Sequence, residues 1–166
     1  MRSKTKKIAL LGVLTSVALV LSYLEAMLPP ISTAVPGIKM GLPNIIIIFL
    51  LYKFGLKEAV SVSIIRVFIV SLLFGNVMTL AYSIAGAVLS LGLMTLFKKL
   101  NFFSAIGVSI IGGISHNLGQ ILVAIFLFDT IQIGYYMIIL SITGTIAGVV
   151  IGIISSILVK KLEKFV

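Results

Sequence analysis

Five polar side chains lie inside stretches of the chain that are otherwise almost entirely apolar. Glu25 and Arg66 are charged. His116, Asn117 and Gln120 occur together in the segment GGISHNLGQ. Insertion of a charged residue at the centre of a bilayer costs at least ~2.5–3.5 kcal/mol, so such groups normally face a cavity or a partner rather than lipid. These residue types predict recognition of a small polar ligand by charge and hydrogen bonds.

The depths of these residues are compatible with one shared pocket. With a rise of about 1.5 Å per residue, Arg66 and Gln120 each lie roughly 12 Å below the outer ends of their helices. Asn44 and Lys39 extend the polar set, and we expect a pocket that opens to the outer side. Two alternatives stay open at this point. Glu25 and Arg66 would form a purely structural ion pair, or His116 would serve only a helix–helix hydrogen bond.

The composition predicts an integral membrane protein. The 166 residues are 60% hydrophobic and 10% charged, whereas a soluble domain carries roughly 25% charged residues. The formal net charge of +9 does not indicate a nucleic-acid partner, because the basic residues cluster at the ends of apolar runs, as membrane topology requires. The expected environment is therefore the lipid bilayer.

The sequence lacks the residues that common catalytic centres need. It has four acidic residues, one histidine and no cysteine. These provide no paired aspartates for magnesium-diphosphate, no phosphate-binding glycine loop followed by Lys-Ser/Thr, and no usual zinc site. We predict a protein that is not an enzyme and has no cofactor and no metal, so any active transport requires ATPases on another subunit.

The apolar runs predict an all-α bundle of six transmembrane helices in a single domain, 1–166. The spans cover about 8–28, 42–52, 56–74, 77–97, 103–128 and 135–159. With six crossings and both termini inside, eleven of the thirteen basic residues lie on the inner face, in agreement with the positive-inside rule. The second span is short, and we expect it to begin before Leu42 or to be broken near Pro43.

The stretch from residue 24 to residue 44, which joins the first two spans, contains all four prolines of the chain. Pro36 and Gly37 form a turn signal, and Gly41 follows shortly after. Lys39 is the one basic residue in an outer loop of this topology, which favours a binding role over a topological one. We therefore predict a lid that includes Pro36, Gly37 and Gly41.

Small residues four apart in the first and last spans predict close helix contacts. Gly144, Gly148 and Gly152 share one face of the last span. Gly12 and Ser16 do the same in the first span. Packing within the bundle and docking to a partner protein both fit the pattern, and the first span is the predicted docking face.

The segments PGIKMGLPNI, GLKEAVSVSIIRVFIVSLLFG and GGISHNLGQ resemble the Gx transporter family, also called heptaprenyl diphosphate synthase component I. The similarity covers nearly the whole chain, with Pro43 where the family usually has alanine. That family is grouped with the substrate-binding S components of energy-coupling-factor (ECF) transporters, which are six-helix bundles with both termini inside. The residues of the family's motifs are here Glu25, Pro36, Gly37, Lys39, Gly41, Asn44, Arg66, His116, Asn117, Gly119 and Gln120.

The resemblance implies a multi-pass protein of the bacterial cytoplasmic membrane. The first hypothesis is an S-component-like subunit that binds a vitamin-, flavin- or isoprenoid-related molecule from outside and works with ECF-type transmembrane and ATPase subunits. The second is a non-transporting membrane subunit with redox partners, in flavin- and quinone-linked extracellular electron transfer or in prenyl-quinone biosynthesis. A third, a true prenyl synthase component, has no chemical support in the residues.

Overall fold

The computed structural model describes residues 2–27 and 41–162, with the backbone alone for Arg2 and Ser3. Within these residues the chain forms helices and no strand, which confirms the all-α prediction. A 3-10 helix, Ile131–Tyr135, precedes the last α-helix. The six α-helices are α1 (Arg2–Met27), α2 (Asn44–Lys53), α3 (Leu56–Phe74), α4 (Val77–Leu100), α5 (Ala105–Phe128) and α6 (Tyr136–Lys161).

Short connections make α2 to α5 run antiparallel to their neighbours in sequence. The α2–α3 turn contains Gly55 at a φ of 112°, a conformation that residues with a side chain rarely adopt. The α3–α4 turn ends at Asn76, whose side chain and backbone exchange hydrogen bonds with Thr79 in a capping box. Helix α4 ends at Asn101, which is left-handed, a conformation that asparagine tolerates better than most residues. Local sequence therefore sets where these helices begin and end.

Helices α4, α5 and α6 pack closely because glycines lie at their contacts. A Cβ atom at Gly148 would lie 2.6 Å from the Cα of Ile110, and one at Gly152 would lie 2.7 Å from the Cα of Ile106. A Cβ at Gly113 would lie 2.5 Å from the carbonyl oxygen of Gly144. The four-residue glycine repeat of α6 thus packs within the bundle.

The same spacing in α1 has no neighbour among the described residues. A Cβ atom added at Gly12 would meet nothing within 4 Å, and Ser16 is exposed and bonds only back to the Gly12 carbonyl oxygen, at 3.1 Å. The face of α1 that carries Gly12 and Ser16 is therefore uncovered by the described part of the chain.

Helix α2 is ten residues long and packs against α1, α3 and α6. Its residues from Ile45 to Leu51 are all buried. A helix that is apolar on every side is expected inside a bundle. The Ser155 hydroxyl of α6 donates to the carbonyl oxygen of Ile45 at 3.2 Å, so α6 fixes the beginning of α2.

Basic residues collect at one end of the bundle. The Nζ of Lys7 in α1 pairs with Oε1 of Glu58 in α3 at 2.5 Å. The Nζ of Lys98 in α4 donates to the Leu51 carbonyl oxygen at the end of α2, at 2.6 Å, and lies 4.9 Å from the centroid of the Tyr52 ring. We call this the lysine-rich end; in the described residues it holds Lys4, Lys6, Lys7, Lys53, Lys57, Lys98, Lys99, Lys160 and Lys161.

Four helical segments in the described residues are long and apolar enough to cross a membrane: Lys4–Met27, Val77–Leu100, Ala105–Phe128 and Ile131–Lys161. Helix α3 has 19 residues but carries Lys57, Glu58 and Arg66. Helix α2 would extend only about 15 Å, half the hydrocarbon thickness. The protein is therefore a multi-pass membrane protein, and the count of six crossings stays a prediction.

Candidate ligand-binding site

All six helices contribute to one cavity inside the bundle, with about 100 Å³ of free space. It lies between the lysine-rich end and the opposite end, where the rings of Tyr23 and Phe74 pack with centroids 5.4 Å apart. The polar residues that the sequence indicated line this cavity together: Glu25, Asn44, Arg66, His116, Asn117 and Gln120. Gly41, from the predicted lid, also lines it. Lys39, Pro36 and Gly37 lie outside the described residues.

Arg66 presents a buried donor to this cavity. It lies on α3, and its Nε atom is buried with no hydrogen-bond partner in the part of the chain that the structure describes. Glu25 of α1 attracts the guanidinium electrostatically. The carboxylate of Glu25 also accepts the backbone N–H of Gly41. The Nε–H of Arg66 therefore has no acceptor among the described residues, although Glu25 attracts the charge of the guanidinium.

His116 and Gln120 form a hydrogen-bonded pair on α5. They are four residues apart, and their Nε2 atoms lie 3.2 Å from each other. The amide nitrogen of a glutamine can only donate, so with the amide in this orientation Nε2 of His116 is the acceptor. The ring lies against Gly86 of α4, where an added Cβ would be 2.7 Å from its Cε1. The small residue at position 86 therefore makes the room for this pair.

Asn117 has a packing role besides lining the cavity. Its Nδ2 donates to the Leu140 carbonyl oxygen of α6 at 2.7 Å. The same atom would lie 2.9 Å from a Cβ at Gly144. Asn117 thus joins α5 to α6, a role that the sequence did not predict.

Serines supply much of the remaining polar lining, and sequence reasoning missed them. The hydroxyl of Ser90 in α4 donates to the Gly112 carbonyl oxygen of α5 at 2.9 Å. Ser109 Oγ is buried without a hydrogen-bond partner in the described residues. Ser22 lies one helical turn before Glu25. This spacing from a charged residue within an apolar helix could have predicted that Ser22 lines the cavity. The serines that line the cavity are Ser22, Ser71, Ser83, Ser90 and Ser109.

The cavity holds a single acidic residue among its described lining, Glu25. In the described residues no group of three or more His, Cys, Asp or Glu side chains lies close enough together to hold a metal ion. The available chemistry is one buried cation, one carboxylate, an imidazole–amide pair and several hydroxyls. Such groups can orient and hold a small polar molecule.

The fold and the cavity define a multi-pass helical membrane protein with a polar chamber enclosed by its helices. The family model for heptaprenyl diphosphate synthase component I matches residues 14–158. The chain belongs to that family, which confirms the resemblance seen in its motifs. A search of the curated proteins and a search of the solved structures each found no match.

Proposed function

We propose that this protein is the membrane-embedded substrate-binding subunit of a small-molecule uptake transporter, similar to an ECF S component. The observation that carries the proposal is the buried Nε of Arg66, which lacks a hydrogen-bond partner in the described residues and lines a cavity shared by six helices. An unsatisfied polar group within a bilayer costs free energy. A ligand that accepts a hydrogen bond from Arg66 removes that cost.

The proposed orientation has six crossings with both termini inside. The lysine-rich end then faces the cytoplasm, as the positive-inside rule expects. The opposite end faces outwards, and the ligand enters there. The bond between Glu25 and Gly41 supports a lid role for the segment that ends at Gly41, to which Pro36, Gly37 and Lys39 belong. Lys39 and Arg66 would together favour an anionic group on the ligand.

The proposed partners are ECF-type transmembrane and ATPase subunits in a bacterial cytoplasmic membrane. The chain has no nucleotide-binding loop of its own, so energy must come from another subunit. The face of α1 that carries Gly12 and Ser16 suits helix–helix docking, because small residues let two backbones approach closely.

The test is ligand retention by the purified protein in lipid nanodiscs. Small molecules that co-purify are identified by mass spectrometry, and their affinity is compared between the wild type, Arg66→Ala and Gln120→Ala. A hydrogen bond to a charged group contributes ~1.5–3 kcal/mol, so we expect Arg66→Ala to weaken binding about 10-fold or more. Ile146→Ala, on an exposed part of α6, is the control that should bind normally. Unchanged affinity in both cavity variants would exclude this site.

A second function is favoured by the name of the matching family, which describes a synthase component. The protein would then be a non-transporting membrane subunit in prenyl-quinone biosynthesis or in flavin- and quinone-linked extracellular electron transfer. Purification from native membranes separates the two proposals. Recovery of ATPase subunits supports uptake, whereas stable recovery of a flavoprotein or a quinone enzyme supports the second function.

A further inference from the structure

A wholly apolar groove lies on the outside of the bundle, beside the polar cavity. It runs between α1 and α3, is open on its outer side and has a volume of about 240 Å³. Its walls are Leu19, Val20, Tyr23, Ile69, Val70, Leu73 and Phe74. Most of these side chains are exposed, and in a membrane this face meets the lipid chains.

The groove and the cavity share one wall residue, Val70. Arg66 lies four residues before Val70, so the two side chains follow each other on one face of α3. The buried donor of Arg66 is therefore one helical turn from the apolar groove. The polar cavity and the apolar groove therefore share a wall at the α1–α3 contact.

An ordinary bilayer lipid cannot occupy the groove and also bind Arg66. Arg66 is eight residues from the end of α3 at Phe74, a depth of about 12 Å, which lies within the hydrocarbon region. The headgroup of a bilayer lipid stays at the interface, so its chain would fill the groove and leave Arg66 unsatisfied. A molecule with one chain and a small head can satisfy both sites.

We propose that the ligand is a single-chain amphiphile, with a hydrogen-bond-accepting head beside Arg66 and an apolar tail in the groove between α1 and α3. This inference rests on the proposed binding function and specifies its substrate class. The tail passes beside Val70, and the ligand enters at the outer end of the bundle, from the outer leaflet next to α1 and α3.

Fluorescence quenching tests the proposal, since the chain has no tryptophan. A Leu73→Trp variant places one reporter in the groove. An Ile138→Trp variant places one at a similar depth on the exposed face of α6, away from groove and cavity. The probe is dibromostearic acid added to phosphatidylcholine nanodiscs, and the headless control is dibromooctadecane. We expect the acid to quench the groove reporter at least threefold more strongly than the α6 reporter, in a saturable manner, and the headless compound to quench both equally.

Two further variants connect the groove to Arg66. Arg66→Gln and, separately, Val70→Phe are each combined with Leu73→Trp, and each should reduce the quenching by the acid to the level of the α6 reporter. Equal quenching of the two reporters, or an excess that persists in the folded Arg66→Gln or Val70→Phe variant, would show simple lipid contact and overturn the proposal.

Failure of this inference can be distinguished from failure of the binding function. An Arg66-dependent, water-soluble ligand whose affinity is the same in Ile69→Phe, which changes a groove residue outside the cavity lining, would leave the uptake function standing and exclude the amphiphile. The absence of any Arg66-dependent ligand, soluble or amphiphilic, would contradict both.

Discussion

His116 shows how a single residue combines helix packing with a place in the cavity lining. It is the chain's one histidine, and its ring lies between Gln120 on its own helix and Gly86 on α4. The sequence indicated His116 and Gln120 correctly as neighbours, because four residues is a fixed spacing on a helix. The sequence could not predict the contact with Gly86, because a glycine in a sequence does not indicate which side chain packs against it.

A Gly86→Ala substitution should displace the His116 ring. The added Cβ would lie 2.7 Å from Cε1, which is too close, and the ring is the part that can move. Selective ¹⁵N-histidine labelling gives one pair of ring signals, and we expect these to shift in Gly86→Ala. Gly92→Ala on the same helix, with nothing within 4 Å, should leave them in place. Unshifted ring signals in Gly86→Ala would contradict the packing described here.

At the scale of elements, glycine spacing predicts close helix contacts but not their partners. The repeat in α6 packs on α5, whereas Gly12 and Ser16 in α1 face no described neighbour. Both helices carry small residues four positions apart, so only the arrangement of the helices shows which of the two faces is packed. The short α2 was visible in the sequence, but its burial on every side depends on α1, α3 and α6.

The α4–α5 contact provides a stability test. A Cβ at Gly119 would lie 2.6 Å from the Ala85 carbonyl oxygen, and this backbone atom can move only if the helices separate. We expect Gly119→Ala to destabilise the fold by ~1–3 kcal/mol, as overpacking does. The thermal unfolding midpoint in detergent measures the effect. Gly92→Ala should be neutral or slightly stabilising, because alanine is the better helix former, and equal midpoints for the two variants would refute the contact.

At the scale of the whole molecule, the positive charge distinguishes the two ends. The sequence predicted this asymmetry from the positions of its basic residues at the ends of the apolar runs, and the contacts of Lys7 and Lys98 bring the ends of α1 to α4 together. The shared cavity was predictable in part, because buried polar residues in separate helices must find a common interior. Its serine lining was not, since serine also occurs on helix faces that bond only to their own backbone.

The orientation can be measured by cysteine labelling, because the chain has no cysteine. Phe102 in the α4–α5 connection and Ile131 in the α5–α6 connection are both well exposed. With the lysine-rich end inside, a membrane-impermeant maleimide should label Ile131→Cys in intact cells and Phe102→Cys only after the cells are opened. The reverse pattern would place the lysine-rich end outside, against the proposed uptake direction.

The burial of α2 has a consequence for how the protein is made. A ten-residue segment is too short to enter a bilayer as an independent span, and one of its contacts, from Ser155 to Ile45, comes from α6, which is synthesised after α1 to α5. We expect α2 to reach its final position only after α6 has been synthesised. Asn44 and Ile48 on α2 line the cavity, so we expect the cavity to take its final shape only once α6 has been made and packed against α2.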